Sequence, residues 1–323
     1  MTKLSWSQSM RLLTPTIALT QKFLPLVFTE LQGVGKGSGI PWRDLFVLNS
    51  FEALERFTHQ GKCTSIIAKT RDRMLLAHNE DWVAHDVRWM YMLRARPKNE
   101  PAFLCVSYGC WLQTYGINDA GLAFVADSDH CRDARAGIAQ TFIGREIMRY
   151  CTIAAATKRI ITLPRADGHS YVFVDSRGGC AIVETTAKKH AILQIGRKFH
   201  SGNYGTFFAK GVLVHANFLQ SAALQSSLVG PRSYSRFRHA RVQELLASHR
   251  SVQSVANVSA RQLLHVLADH QNYPESICNH KAENAQNQLD DQTIASFVLN
   301  PTPGTIHLIR GNPCRGQIAR FTL

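Results

Sequence analysis

The stretch GKCTSIIAKT (residues 61–70), followed by MLLAHNEDW (residues 74–82), decides the fold of this chain. After its cysteine, the first segment is largely β-branched and apolar, a composition that favours a strand. The second segment predicts a returning strand. Arg71-Asp72 between them is a plausible two-residue turn, although it lacks the glycine or asparagine that such turns prefer. The pattern therefore predicts a β-hairpin.

The register of this hairpin predicts which side chains meet at its open end. With a two-residue turn, Cys63 faces Glu80, and Asp81 lies beside the pair. A thiol is a good nucleophile only as the thiolate and needs a base within hydrogen-bond reach. The hairpin therefore predicts a reactive thiol next to carboxylates. A cysteine that opens a strand is more often a small buried hydrophobic residue, so the residues alone leave both interpretations open.

Two segments of the hairpin, Cys63-Thr64-Ser65 and Asn79-Glu80-Asp81-Trp82, resemble the signature of a known enzyme family. It is the penicillin (acyl-CoA:6-aminopenicillanic acid) acyltransferase family of N-terminal-nucleophile hydrolases, which is peptidase C45-like and related to the bile-salt hydrolases. The resemblance covers most of residues 24–323. Weaker segments agree with it in the same order along the chain: 30–40, 48–52, 116–123, 215–218, 276–280 and 293–313.

The resemblance implies an α+β fold, the four-layer αββα sandwich of N-terminal-nucleophile hydrolases. Hydrophobic periodicity is compatible with such layers, although it does not single them out. It predicts helices over 16–33, 42–55, 139–161, 233–248 and 259–270, strands over 102–108, 111–117, 121–127, 170–175, 179–186, 190–195, 293–299, 304–310 and 315–322, and an irregular segment over 197–232.

The resemblance also implies that the chain cuts itself between Lys62 and Cys63. Residues 1–62 would then be a small subunit that stays bound, and residues 63–323 the catalytic subunit, within one structural domain. Family members usually carry a further segment before this start, so the chain looks short at its N-terminus.

Site roles follow from the resemblance. The free α-amine of Cys63 would act as the base, since its ordinary pKa of about 8 suits proton transfer near neutrality. Asp81 would hold the resulting ammonium, and the Asn217 amide would donate to the tetrahedral oxyanion. A backbone N–H near Ser128 is a candidate second donor. The expected activity is that of an amidohydrolase or N-acyltransferase, which acts on a small-molecule acyl amide or acyl-CoA through a Cys63 acyl-enzyme and needs no cofactor.

Departures from the family pattern motivate an alternative. Lys62 stands where a glycine often precedes the cleaved bond. The arginine that usually precedes the strand at Thr293 is missing from residues 289–292, so a different cation could take its place or the substrate could differ. The alternative is a catalytically degenerate member of the same fold that serves as a binding or interaction protein.

The formal net charge of +14 raises the question of an anionic partner such as nucleic acid, a membrane surface or an acyl-CoA. Lysines and arginines are spread along the chain without a run of five, which favours an ordinary solvated basic surface. The densest patches are residues 188–190 and 236–241. We therefore do not expect nucleic-acid binding.

Composition also bears on metals, membranes and location. The cysteines and histidines show no CxxC and no HxxxH spacing, so the sequence predicts no metal site. The cysteines are too sparse for a disulfide scaffold, which favours a reducing, cytoplasmic location. Residues 1–29 contain bases but no acid, a weak transit-peptide feature. No apolar run approaches the ~18 residues that a membrane span needs.

Overall fold

The computed structural model describes residues 4–54, 62–112, 115–194, 211–230, 232–248, 257–281 and 291–323. Within them the helices are α1 Trp6–Phe23, α2 Pro25–Ser38, α3 Trp42–Leu48, α4 Phe51–Leu54, α5 Gln140–Ile147, α6 Ile153–Thr162, α7 Ala222–Gln225, α8 Ser233–Ser248 and α9 Ala260–Leu267, with a 3₁₀ helix at Ala84–Trp89. The strands are β1 Thr64–Lys69, β2 Met74–Val83, β3 Met90–Ala95, β4 Phe103–Tyr108, β5 Tyr115–Asn118, β6 Leu122–Asp129, β7 Gly168–Asp175, β8 Cys180–Thr185, β9 His190–Gln194, β10 Val212–Ala216, β11 Asp291–Asn300, β12 Thr305–Arg310 and β13 Ala319–Thr322.

These strands form two antiparallel sheets. The first is six-stranded, in the order β10-β1-β2-β11-β12-β13, and the second is seven-stranded and runs from β3 to β9 in chain order. The second sheet is a simple meander because each strand pairs with its successor. The first sheet joins distant parts of the chain, since β1 pairs with β10 and β2 pairs with β11. The hairpin of β1 and β2 therefore lies at its centre.

The hairpin has the register that the sequence predicts. Thr64 pairs with Asn79 and Lys69 pairs with Met74. The Thr70 N–H donates to the carbonyl of Arg73 at 2.9 Å, which closes the turn around the two residues between them. Alternate residues point to opposite faces of a strand, so this register fixes which side chains share a face with the thiol.

Helices cover the outer faces of both sheets. Ile66 and Ala77 point outward from the first sheet and pack with Val242 of α8 and Leu263 of α9. Ile67, one residue along β1, belongs instead to the core between the two sheets. Helix α6 packs on β7 and β8 of the second sheet, with α5 against α6. The four-layer αββα sandwich and the α+β class are therefore confirmed.

The N-terminal helices pack into the body of the protein. Leu13 of α1 and Phe28 and Leu31 of α2 are buried in the same core cluster as the strands. Within the described residues no single helix is long and apolar enough to cross a bilayer, although α1 and α2 together, bent by 115°, meet that test by length and composition.

The structure differs from the predicted elements in several places; for example, the helix expected over 42–55 is the two helices α3 and α4, and the strand expected over 111–117 begins only at Tyr115. The helix expected over 16–33 is two helices that meet at Leu24, because Pro25 starts a new helix and has no N–H to continue the first. The helix expected over 139–161 is interrupted, because the Thr152 side chain caps a second helix by accepting from the Ala155 N–H. Strand β3 was not anticipated, and β10 lies inside the segment expected to be irregular.

Candidate functional site

The thiol of Cys63 lies at the start of β1, on the face directed between the two sheets. Its side chain is 5% exposed, and its Sγ lies 3.7 Å from Oε2 of Glu80, the residue that the hairpin register places opposite. The backbone N–H of Asp81 donates to the sulfur. The open end of the hairpin therefore brings together the thiol and the carboxylate that the sequence predicts there.

Glu80 is the first member of a buried chain of polar side chains. Tyr108 donates to its Oε1 at 2.8 Å, and Nε2 of His78 lies 3.0 Å from its Oε2. Nδ1 of His78 is joined to the Ser65 hydroxyl at 2.9 Å, and that hydroxyl donates to Asp127 at 3.0 Å. Because β1, β2 and β6 each contribute, this chain connects the two sheets.

The chain continues into a buried ion cluster. Nδ1 of His215 lies 2.8 Å from Oδ2 of Asp127, and its Nε2 lies 3.4 Å from Oε1 of Glu184. Burial alone lowers the pKa of His215, but the hydrogen bond to Asp127 and the nearby carboxylates of Glu184 and Asp129 outweigh burial and raise it to about 10. Burial alone would raise the pKa of Asp127, but the hydrogen bond and charge of His215 bring it below its usual range. His215 is therefore a buried imidazolium at neutral pH.

Arg238 of α8 holds the backbone on either side of the expected cleavage point. Its Nη1 donates to the carbonyl oxygens of Lys62 and Cys63, and to Oγ1 of Thr64 at 2.7 Å. Its Nη2 donates to Oδ1 of Asn217 at 3.1 Å. The side chain is 2% exposed, so this guanidinium acts where water screens its charge little.

Asp81 is the most unusual carboxyl group of the site. Thr293 donates to its Oδ1 at 2.6 Å, whereas its buried Oδ2 has no hydrogen-bond partner among the described residues. Burial raises its pKa to about 8, and the charges of Arg238 and Lys62 and the Thr293 hydrogen bond oppose that shift only in part. In the uncut chain, Asp81 is therefore mostly protonated at neutral pH.

Burial also raises the pKa of the Cys63 thiol well above its ordinary value, and the Glu80, Asp127 and Asp81 carboxylates add to the increase. The hydrogen bond from the Asp81 backbone opposes the shift. In the uncut chain the thiol is therefore neutral, and a cation close to the sulfur would be needed to favour the thiolate.

Asn217, expected from the resemblance, and Ser128, expected from its position after the Gly121 strand, lie in contact. Asn217 follows β10, which pairs with β1, and its Nδ2 donates to the carbonyl oxygen of Ser128 at 3.0 Å. The Ser128 hydroxyl donates to Oε1 of Glu52 at 3.1 Å. The Asn217 amide therefore bridges Arg238 and β6, and Ser128 contributes a backbone carbonyl to that bridge.

Arg238 is the site residue that sequence reasoning missed. The patch 236–241 was assigned to the solvated surface, and for Arg238 this assignment is wrong. The spacing of residues in the helix could have indicated that Arg238 is buried, because Ser235, Arg238 and Val242 lie on one face of α8 and all three are buried. A base on the apolar stripe of a helix indicates a buried partner. Leu289 and Asp290, where the family arginine is missing, lie outside the described residues.

Two facing antiparallel sheets between helical layers, with a cysteine at the start of a central strand, define the N-terminal-nucleophile hydrolase fold. The model of one family in this class, the acyl-coenzyme A:6-aminopenicillanic acid acyl-transferases, matches residues 68–315. The chain therefore belongs to that family, a group of acyl-transferring and amide-hydrolysing enzymes. Cys63 precedes the matched range, so its role rests on the geometry described above.

Solved structures share the fold at low sequence identity. An N-acylethanolamine-hydrolyzing acid amidase ortholog from Caenorhabditis elegans is 11% identical with a TM-score of 0.50, and the match covers 74% of this chain and 93% of that one. A conjugated bile acid hydrolase from Clostridium perfringens, solved as a mutant, is 12% identical with a TM-score of 0.52, over 81% and 97% of the two chains. Among curated proteins the sequence search found no match.

Proposed function

We propose that this protein is a self-processing cysteine N-terminal-nucleophile amidohydrolase or acyltransferase, which acts on an acyl amide or acyl thioester through a Cys63 acyl-enzyme. One observation carries the proposal: the buried Oδ2 of Asp81 has no partner among the described residues, next to the residue whose α-amine cleavage would free. Buried carboxylates are normally paired, so this oxygen is suited to accept an ammonium group.

Self-cleavage would use groups already in place around the Lys62–Cys63 peptide. Glu80 accepts the thiol proton, and the sulfur attacks the Lys62 carbonyl carbon, with the guanidinium of Arg238 stabilising the oxyanion. The C–N bond then breaks as the proton taken from the thiol is delivered to the Cys63 nitrogen, which leaves as an amine, and a thioester remains between Lys62 and Cys63. Water hydrolyses the thioester, which frees the Lys62 carboxylate and the Cys63 thiol.

The freed α-amine would then become the base of the mature site. It takes the thiol proton, and the resulting ammonium pairs with Asp81. A cation close to the sulfur also lowers the pKa that burial and three carboxylates raise in the uncut chain. The thiolate attacks the substrate carbonyl, and Arg238 and Asn217 are the nearby donors for its oxyanion. Water or an amine releases the acyl group.

The test is the denaturing intact mass of wild type beside Cys63→Ala. Wild type should give fragments 1–62 and 63–323, and the variant one uncut chain. Cys105→Ala, at another buried cysteine in a strand, is the matched control and should still be cut. 2-Cyanobenzothiazole, which condenses with an N-terminal cysteine, should label only the larger fragment after denaturation.

The high pKa of the buried Cys63 thiol supports a second candidate function, a binding protein without catalysis. Without a free amine the resting thiol stays neutral, and the site lacks the α-amine base that would activate the thiol toward a substrate. An uncut wild type would favour this candidate and contradict the proposal. If the chain is cut, Cys63-dependent turnover across a panel of acyl amides and acyl-CoA thioesters separates an enzyme from a processed binder.

A further inference from the structure

A second cluster of nucleophilic and basic side chains lies away from Cys63, where the loop after α9 meets the turn after β12. Its members are His270, Cys278, His280 and Cys314, with one nitrogen or sulfur from each lying within 4.8 Å of all the others. Cys278 and His280 are buried, whereas His270 and Cys314 are on the surface. The proposed function uses none of them.

Four of the six distances between these ligand atoms are close to those of a metal tetrahedron, and all six are within 4.8 Å. Bonds of about 2.3 Å to sulfur and 2.0–2.1 Å to nitrogen around zinc give edges of about 3.8 Å for S···S, 3.6 Å for S···N and 3.3 Å for N···N. The Cys278 and Cys314 sulfurs are 3.7 Å apart. Nε2 of His280 lies 3.3 Å from Cys278 Sγ, 3.5 Å from Cys314 Sγ and 3.0 Å from Nε2 of His270.

Hydrogen bonds alone do not account for this arrangement. Nε2 of His280 can form one hydrogen bond along its lone-pair or N–H direction, yet three ligand-type atoms surround it. Four groups with lone pairs lie close together, and each close pair needs a proton or a cation between its atoms; a single metal ion among them would satisfy all four at once. The ring nitrogens and sulfurs present are the donor set that zinc prefers in four-coordinate sites.

We propose that His270, Cys278, His280 and Cys314 bind one zinc ion with tetrahedral geometry. Four protein ligands close the coordination sphere, so the ion is structural and supplies no catalytic water. It ties the loop that follows α9 to the turn that follows β12. The sequence alone does not predict this site, because the ligands have neither a CxxC nor an HxxxH spacing.

The surroundings of the cluster fit a metal site. Asn312 Nδ2 lies 3.6 Å from Cys278 Sγ and donates to the Asn279 carbonyl at 2.7 Å. The backbone N–H of Cys278 donates to the Asp269 carbonyl at 3.0 Å. Hydrogen bonds of this kind fix the orientation of metal ligands and are a regular feature of zinc sites.

A short path joins this site to Asp81. Asn279, between two of the ligands, donates its backbone N–H to Oγ1 of Thr293 at 2.9 Å, and Thr293 donates to Oδ1 of Asp81 at 2.6 Å. Loss of zinc should therefore loosen the hydrogen bond that orients Asp81. An effect of this loosening on cleavage rests on the proposed function. The proposal that the cluster binds zinc does not.

The experiment measures metal in the full-length protein, prepared without a histidine tag, under reducing conditions and without chelator. We expect about one zinc per chain in wild type, little in Cys314→Ser, and the wild-type content in the control Cys151→Ser, another exposed cysteine. Cobalt(II) loaded in place of zinc should give the intense visible bands of a tetrahedral thiolate site in wild type.

Wild type that stays metal-free after incubation with zinc under reducing conditions would overturn the proposal. So would equal metal content in wild type and Cys314→Ser, or a Cys278–Cys314 disulfide in the reduced preparation. If Cys314→Ser does not fold, the cobalt spectrum of wild type tests the proposal without a variant. Absence of the tetrahedral thiolate bands would then contradict zinc binding at this cluster. These readouts do not involve cleavage, so an uncut chain with zinc would contradict only the proposed function.

Discussion

Replacing Arg238 with lysine keeps the buried positive charge but removes the planar fork, in which Nη1 donates to the Lys62 and Cys63 carbonyls while Nη2 donates to Asn217. The compact ammonium cannot reach the Lys62 and Cys63 carbonyls, Thr64 and Asn217 together. Loss of one oxyanion donor typically lowers a rate by about 10²–10³, so we expect Arg238→Lys to cleave at Lys62–Cys63 about 100-fold more slowly.

The same change should also affect stability. Hydrogen bonds to a charged group each contribute about 1.5–3 kcal/mol, so the loss of two would lower the free energy of unfolding by about 3–6 kcal/mol before relaxation. We expect the lower end, because the lysine ammonium can make new bonds. Denaturant unfolding in a Cys63→Ala background measures this change without interference from cleavage.

The cleavage assay follows the release of residues 1–62 over time after cell-free synthesis. Arg241→Lys is the matched control, since Arg241 lies on the same helix but pairs with Asp269 and Glu244. It should leave the cleavage rate unchanged. Cleavage of folded Arg238→Lys at the wild-type rate would refute the assignment of an oxyanion role to this guanidinium.

Two further predictions concern pH and packing. In the uncut chain the pKa of Asp81 is about 8, above its unfolded value. The stabilising contribution of Asp81 in the Cys63→Ala variant, which stays uncut, should therefore be complete below about pH 4 and be lost as pH rises to about 8, by up to about 1.4 kcal/mol per pH unit. Asp81→Asn should remove this slope, which denaturant unfolding at several pH values would show; an unchanged slope would contradict the assignment. A Cβ on Gly116 would lie 2.2 Å from the Leu104 carbonyl oxygen, so Gly116→Ala should lower the free energy of unfolding by about 1–3 kcal/mol or more. A Cβ on Gly33, which lies in a helix, would have nothing within 4 Å, so Gly33→Ala should raise the free energy of unfolding by up to about 1 kcal/mol. Equal melting temperatures for the two glycine variants would contradict this comparison.

The hairpin shows how far local sequence reaches. Strand propensity and a two-residue turn fix which residues of β1 and β2 face each other, because the side-chain period of a strand is two. Cys63 opposite Glu80 follows from that register without any tertiary information. Helix α8 likewise has the bounds that periodicity predicts, since its signal lies within one segment.

The roles of Cys63, Asp81, Asn217 and Lys62, and the division into residues 1–62 and 63–323, remain predictions. The structure brings the first three together with Arg238 at one end of the hairpin. The cytoplasmic location is also a prediction, as is the choice between an acyl amide and an acyl-CoA as substrate.

The sequence by itself determined the family, the fold class and the thiol–carboxylate pair, because these depend on residues close together in the chain or on an ordered set of motifs. Only the tertiary structure decided that Arg238 is buried against the Lys62–Cys63 peptide, that Asp127 reaches His215 from the other sheet, and that Cys314 meets His270. The reason is physical: each of these contacts joins segments that only sheet order and helix packing bring together, and no local period in the sequence records such a pairing.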